Sequence, residues 1–413
     1  MDFKVLRDDA TKVADWMVAD ITHVCRDFEK REPGSKGEQQ ACEYMADLCK
    51  TEFGCDTAGV ESYEEHPYSF FGWMWITFSL MFLGVLLFFC GAHLISLILY
   101  LLGWLIALLQ FGAYRPFVDR FFPKKTGHNM MAIKKPTGEV KRRILWNGHV
   151  DAVWEWPVNY RFGGIAFELH MVIAAIGTLY YLVLSVLAMA KVGMFGIIPT
   201  TETLFHLALW GLLFAPFWIG MYFMWNRRRI VDGANDNLSG CYMGLAILKE
   251  LNEHGIELEH TEIGVVLTGS EEAGLRGAKA WAAAHQGEFD DVPTFLYSYD
   301  TIHDPKWLMV NYRDLNGTVK TDKDVNDLFL EAAEDLGIPC KKGWVPPLGG
   351  ATDTAAFTQG GFRSGGITGL NHKLENYYHT RRDSYDNLNK QGLAECYQIS
   401  VRVLELFDEG AKQ

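Results

Sequence analysis

No two of the eight cysteines stand in a CxxC pair or in the spacing of a disulfide scaffold, which argues against a cysteine zinc knot and suits a reducing compartment. The opening stretch MDFKVLRDDATKVADW lacks the apolar core of a cleavable signal peptide. Positive charge is in deficit. A net charge of −13 speaks against nucleic acid as a partner. Low-complexity tracts are absent, and the only internal repetition is a pair of hydrophobic hairpins.

Charge of either sign is nearly missing from four blocks: Phe70 to Cys90, Ala92 to Gly112, Met171 to Ala190 and Leu204 to Met224. Each is about 20 residues, enough for a helix to cross the ~30 Å hydrocarbon core of a bilayer. Buried core helices run shorter and carry a polar stripe, so four transmembrane spans in two hairpins are expected. Tyr68, Phe71, Trp73 and Trp75 before the first block, and Trp218, Tyr222 and Trp225 at the end of the fourth, are placed as an interfacial aromatic belt would be. Pro216 is tolerated inside a span. Arg115, Arg120, Lys124, Lys125, Arg161, Arg227, Arg228 and Arg229 flank the hairpins, whereas the tips offer only Lys191. The positive-inside rule then makes this an integral, multi-pass membrane protein with its soluble mass and both termini cytoplasmic.

Outside the hairpins, roughly 300 residues alternate helical periodicity with short apolar strands, the pattern of a mostly parallel mixed sheet sandwiched by helices. Helices are expected over Thr11 to Phe28, Gly37 to Phe53, Asn237 to Asn252, Gly274 to His285, Val325 to Leu336 and Leu393 to Phe407. Strands are expected at Ile144 to Trp146, Glu262 to Leu267 and Thr294 to Tyr299. The expected organisation is one α/β domain in three pieces, 1–69, 113–164 and 226–413, interrupted by transmembrane hairpins at 70–112 and 165–225. An even number of spans separates the pieces, so all lie on one side of the bilayer.

Chemistry-bearing residues cluster after the strands: His149 and Asp151 in NGHVD, Asp236 in GANDNLSG, Glu271 and Glu272 in GSEEAGLRGA, Asp300 in YSYD, and His379 in YYHTRRDSYDNL. Open α/β sheets build their sites at such carboxyl ends. Imidazole and carboxylate groups suit zinc. Singly, each has a plainer reading: an HxD pair arises by chance, GANDN is a turn with a helix cap, and EE before a helix complements its dipole. Their joint order is harder to obtain by accident.

With these motifs the chain resembles the di-zinc aminopeptidase family, peptidase family M-28 of metallopeptidase clan MH, which also includes glutamate carboxypeptidase and glutaminyl cyclase. REPGSKGEQQACEYMADL resembles the family's amino-terminal helix entry and HNMMAIKK its strand before the first ligand, and the HTxxD pattern at His379 favours this family over its sisters. The resemblance implies the zinc exopeptidase fold and two zinc ions. Asp236 would bridge them, with His149 and Asp300 on one and Glu272 and His379 on the other. Glu271 would be the general base, Asp151 would orient His149, and Tyr378 would donate to the developing oxyanion or simply pack. Two departures stand out. TDTAAF has Thr354 where the family often has histidine, and Arg381 and Arg382 follow His379-Thr380, either to hold a substrate carboxylate or lipid phosphate or to pair with Asp383 or Asp386.

The expected activity is that of a membrane-bound, zinc-dependent exopeptidase, most simply an aminopeptidase, acting on a peptide or acyl-amino substrate, and a homo-oligomer is compatible with the sequence. Open alternatives are an amide hydrolase of acylated amino acids or lipids, a glutaminyl-cyclase-like cyclotransferase and a non-catalytic membrane scaffold. The hairpins either anchor the domain or shape a substrate path, and Glu168 and His170 either line that path or sit in the headgroup layer. Only 11 residues separate Trp225 from Asp236, at most ~40 Å of chain, so the site is expected near the membrane surface, with Trp154 and Trp156 beginning the descent towards it.

Overall fold

RILWNGH contains almost no polar alternation, as befits a strand covered on both faces. In the computed structural model, which describes residues 3–410, Arg142–His149 forms such a strand, buried along nearly its whole length. It lies in an eight-stranded sheet whose spatial order is Thr57–Glu65, Lys125–Lys134, Thr261–Thr268, Arg142–His149, Thr294–Ile302, Ser364–Gly369, Met309–Asn311 and Lys341–Gly343. The four central strands, from Thr261–Thr268 to Ser364–Gly369, are mutually parallel, while the two on the Thr57 side pair antiparallel.

Successive residues of the central strands feed different cores, as the two-residue side-chain period requires. Ile144 and Trp146 join the core formed with helices Ala10–Asp27, Ser239–Glu253, Lys323–Asp335 and Lys390–Asp408. Leu145 joins the core formed with Arg276–Ala284, Asp353–Gln359 and the apolar hairpins. Observed element bounds fall within a few residues of those expected from periodicity. The expected helix from Asn237 starts instead at Ser239, because Ala234–Leu238 makes an irregular turn.

Among the described residues, four helices are long and apolar enough to cross a membrane: Ser69–Phe89, His93–Gly112, Gly164–Val192 and Thr203–Met221. Their polarity is inverted relative to the rest of the chain. Thr77, His93, Ser96, Gln110, Thr178 and Ser185 are buried between them, whereas Leu86, Ile98, Leu101, Leu108, Val183 and Leu213 are exposed. The hairpin tips are tied together: Gly196 N donates to Gly91 O at 2.9 Å, and a His93 ring nitrogen lies 2.9 Å from Gly196 O.

The third apolar helix starts at Gly164, within one residue of the hairpin bound expected at 165, and the polar residues of its first turns find partners: Glu168 meets His372 and Lys373, each at 3.0 Å, and His170 meets Phe217 O at 2.9 Å. Of the aromatic residues expected as an interfacial belt, Tyr68, Trp75 and Tyr222 are half-buried and the other four do not face outward. Phe71, Trp73, Trp218 and Trp225 are buried, and Phe71, Trp154 and Trp225 pack ring against ring where the hairpins join the sheet domain. Trp154, expected to begin the descent towards the membrane, is wholly buried at that junction, its indole N–H donating to Glu32 at 2.8 Å.

Gly148 explains part of the NGHVD motif. A Cβ there would stand 2.4 Å from Cys241 N, against backbone that cannot yield. Helix Ser239–Glu253 therefore approaches the strand only because residue 148 is glycine. Gly148→Ala is expected to lower stability by ~1–3 kcal/mol, the usual scale of overpacking, read by thermal or denaturant unfolding.

Candidate metal centre

Each candidate side chain leaves the sheet at or just beyond the carboxyl end of a strand. His149 ends Arg142–His149, Glu271 and Glu272 follow Thr261–Thr268, and Asp300 lies near the end of Thr294–Ile302. Asp236 sits in the irregular turn after Gly233, whose φ of 60° suits glycine, and the Asp236–Asn237 peptide is cis. His379 lies in the loop after Ser364–Gly369 with a φ of 53°, a region non-glycine residues seldom adopt. Its conformation is held by Trp156 N donating to His379 O at 2.9 Å and by the Trp156 ring, edge-on at 4.0 Å.

The side chains meet around Asp236. One of its carboxylate oxygens lies 3.1 Å from His149 Nε2 and the other 3.1 Å from His379 Nε2. Glu272 Oε1 is 3.3 Å from His379 Nε2, and Glu271 Oε2 is 3.9 Å from His149 Nε2. Donor atoms of His149, Asp236 and Glu272 all fall within 4.8 Å of one another. Asp300 faces the same cavity and accepts a hydrogen bond from Thr301 Oγ1 at 2.8 Å. His149 Nδ1 and Nε2, Glu272 Oε1 and His379 Nδ1 are buried with no hydrogen-bond partner. One donor atom each from His149, Asp236 and Glu272 thus lies close enough to the others to share an ion.

Electrostatics favour the same conclusion. Asp151, Asp236, Glu271, Glu272 and Asp300 crowd two imidazoles in a site largely withdrawn from water. Burial, together with the charges of Glu272 and Asp300, drives the Glu271 carboxyl well above its usual range. Burial and Asp236 push Glu272 up to about 6 and Asp300 up to about 7. Burial opposes protonation of His379, yet Glu272 and Asp236 raise it to about 10. Imidazole and carboxylate donors are those a zinc ion accepts, and the residues present fit one.

Other residues hold these loops in place. Asp151, expected to orient His149, lies 3.3 Å from its Nδ1, but its two oxygens also accept the backbone N–H groups of Glu271 and Glu272 at 3.0 and 3.1 Å. Asp383 accepts from Asn235 N at 2.8 Å, Asn235 Nδ2 at 3.0 Å and Asp236 N at 3.1 Å. Asn237 accepts from Thr301 N at 3.1 Å, tying this turn to the Asp300 strand. Buried Arg31 donates to Val150 O at 2.7 Å and to Asp232 O at 2.6 Å, joining two further loops. The motifs REPGS, GANDN and HTxxD contain Arg31, Asn237 and Asp383, but which backbone groups each would hold depends on distant segments.

The expected pairing of the arginines with Asp383 or Asp386 is corrected. Arg381 makes a two-pronged pair with Glu155 at 2.6 and 2.7 Å, and Arg382 donates to Tyr160 O and Asn376 O, and neither lines the cavity. Thr354 is fully buried against Thr352, and Asp353 accepts from Thr268 behind the site. Residues 347–351 line the cavity in their place. Tyr378 lines the cavity and stacks on His379 at 3.9 Å, and its hydroxyl makes no hydrogen bond among the described residues. Glu168 lines the cavity too, whereas His170 does not.

Residues 221–404 match the family described as Peptidase family M28, a span that holds Asp236 through His379 but not His149. An aminopeptidase from Aneurinibacillus sp. strain AM-1 superposes with a TM-score of 0.57 at 14% identity, over 97% of this chain and 95% of that one. A zinc aminopeptidase from Bacillus subtilis gives 0.55 at 13% identity, over 97% and 95%. The fold matches that of zinc exopeptidases. A glutaminyl cyclase from Bacteroides thetaiotaomicron, solved with N-acetylhistamine, shares this exopeptidase fold with a TM-score of 0.53 at 13% identity, over 96% of each chain. Among curated proteins, none matches the chain in sequence.

Removing the Asp383 carboxylate leaves two buried backbone donors of the Asp236 turn unpaired. Asp383→Ala is expected to weaken divalent-metal affinity ~10–100-fold, the usual effect of losing a group that orients a ligand, measured by competition with a chromogenic chelator.

Proposed function

We propose that this chain is a membrane-bound, zinc-dependent exopeptidase, an aminopeptidase in its simplest form, working with two zinc ions on its cytoplasmic side. The observation that carries the reading is the Asp236 carboxylate, which offers one oxygen to each of two histidines, 3.1 Å away on either side. Such a carboxylate suits a bridge between His149 with Asp300 and His379 with Glu272. Bound zinc would polarise the scissile carbonyl and make the attacking water more acidic.

Glu271 is the general base in this reading. It lines the cavity beside the Glu272 and His149 donors, and its loop is held by Asp151. Its carboxylate takes a proton from the attacking water and returns it to the leaving amine. Tyr378 donates its free hydroxyl towards the developing oxyanion. The cavity measures about 250 Å³ and is bounded by residues 347–351, Trp156 and Phe71. A space of that size favours a chain end over the middle of an extended polypeptide.

The membrane part of the reading rests on four helices whose exposed faces are apolar and whose polar groups turn inward, the reverse of a water-facing bundle. Basic residues flank their domain-side ends, and Lys191 alone stands near the tips.

Glu271→Gln is expected to lower kcat ~10²–10⁴-fold, the range for losing a general base, while zinc content by elemental analysis stays at the wild-type value. Loss of zinc along with activity would move Glu271 into the ligand set. Cys90 is exposed near the first hairpin tip, and the other cysteines are buried or half-buried. In a Cys340→Ser background, a membrane-impermeant maleimide is expected to label Cys90 from outside intact cells. Labelling only in inverted vesicles would reverse the orientation.

A further inference from the structure

A second cavity adjoins the metal centre. It measures about 350 Å³ and is lined by helices Ser69–Phe89, His93–Gly112 and Gly164–Val192, with Met221 and Leu348. Trp73, Phe111, Met171, Val172 and Leu348 line both cavities, so the space beside the ligands and the space between the helices share a boundary. Val172 and Leu348 are also exposed, as is Ile176 further along, so the groove borders the molecule's outer apolar surface.

The chemistry of the lining restricts what can enter. No ionisable side chain faces the second cavity. Its two threonines are satisfied internally, Thr77 Oγ1 donating to Gly103 O at 3.4 Å and Thr178 Oγ1 to Ala175 O at 2.7 Å. The remaining polar side-chain atoms are the indole N–H groups of Trp73 and Trp104, both buried without a partner. An extended peptide would bring one N–H and one C=O per residue into this space and leave almost all unpaired, at high cost. A hydrocarbon chain brings none. At the boundary the Trp73 N–H is the one polar side-chain nitrogen or oxygen of the five shared residues, and it is itself buried.

We propose that this groove binds an unbranched hydrocarbon chain of the substrate while the amide it carries lies at the metal centre. The substrate class is then an amphiphilic amide, an amino acid or short peptide head with a long alkyl chain on one side of the scissile bond. This rests on the hydrolase reading above and adds to it the site that selects the chain. The chain enters sideways from the apolar surface, and the head group reaches the ligands past the shared residues.

The test uses the full-length, zinc-loaded protein in lipid nanodiscs with two substrate series, aminoacyl n-alkylamides and N-acyl amino acids, each from four to twelve carbons. The readout is the ratio of kcat/KM for the longest chain to that for the shortest, taken within each variant so that partial misfolding cancels. Ala175→Phe and Ala107→Phe fill the groove from different helices. Each is expected to lower that ratio roughly 10-fold or more, since a phenyl ring displaces several methylenes and each buried methylene contributes about fourfold. The series showing the effect identifies which side of the amide bears the chain. In parallel, a twelve-carbon amide with a terminal diazirine is expected to crosslink to residues of the groove. Cleavage of amides with a ratio unchanged in both variants, or crosslinks confined to other surfaces, would overturn the groove and leave the hydrolase standing. Groove crosslinks without cleavage of any amide would retain the chain site and overturn the hydrolase.

Discussion

Five carboxylates held out of water beside only two imidazoles form the constraint around which the chain is arranged. Such crowding is costly for free ions: burial and neighbouring carboxylates raise the carboxyls of Glu271, Glu272 and Asp300 above their usual range. The scaffold is therefore built to hold them together against their repulsion. Asp383, Asp151, Asn237 and Arg31 act on backbone groups, fixing the loops from which the ligands project. Two of these fixing groups, Asp383 and Asp151, are themselves acidic and buried. The Asp383 carboxyl is raised to about 7 by burial and by Asp236, which adds to the demand for positive charge at the centre.

The apolar helices meet this centre directly. Phe71, Trp73 and Met74 from the first helix and Phe167, Glu168 and Met171 from the third stand on the wall of the cavity that holds Asp236 and Glu272. Gln110, in the widened last turn of the second helix, donates to Ser69 Oγ and Asp119, and Arg276 at the start of the helix after Glu271 and Glu272 donates to the same two groups. The ends of the first hairpin and the Glu271–Glu272 loop are thus joined by one hydrogen-bond network. On the proposed reading, the membrane part and the catalytic part cannot be treated as an anchor and a cargo.

Strand and helix positions were readable because periodicity and burial are local signals: Arg142–His149 and Thr261–Thr268 are apolar runs, and the ligand motifs sit where such runs end. The four apolar helices were readable from charge depletion alone. What escaped was set by distant partners. The polar start of the third helix is settled by Glu168 meeting His372 and Lys373, about two hundred residues away in sequence. Arg381 was read against its sequence neighbours but pairs with Glu155 across the fold. The interfacial look of Trp73, Trp218 and Trp225 was misleading because aromatic rings suit a helix-to-domain junction as well as a headgroup layer, and composition cannot distinguish them.

The threading of the hairpins also fixes an order of assembly. The first hairpin separates the paired strands Thr57–Glu65 and Lys125–Lys134, and the second lies between His149 and Asp236. Strand Thr261–Thr268, which sits between Lys125–Lys134 and Arg142–His149 in the sheet, is synthesised only after both hairpins. A ribosome making this chain must therefore emit all four apolar helices before the sheet can close, and His379 comes later still. Long-range pairing of this kind is slow and leaves strand edges open meanwhile. A chain whose hairpins are misplaced cannot bring His149 and His379 to the same carboxylate.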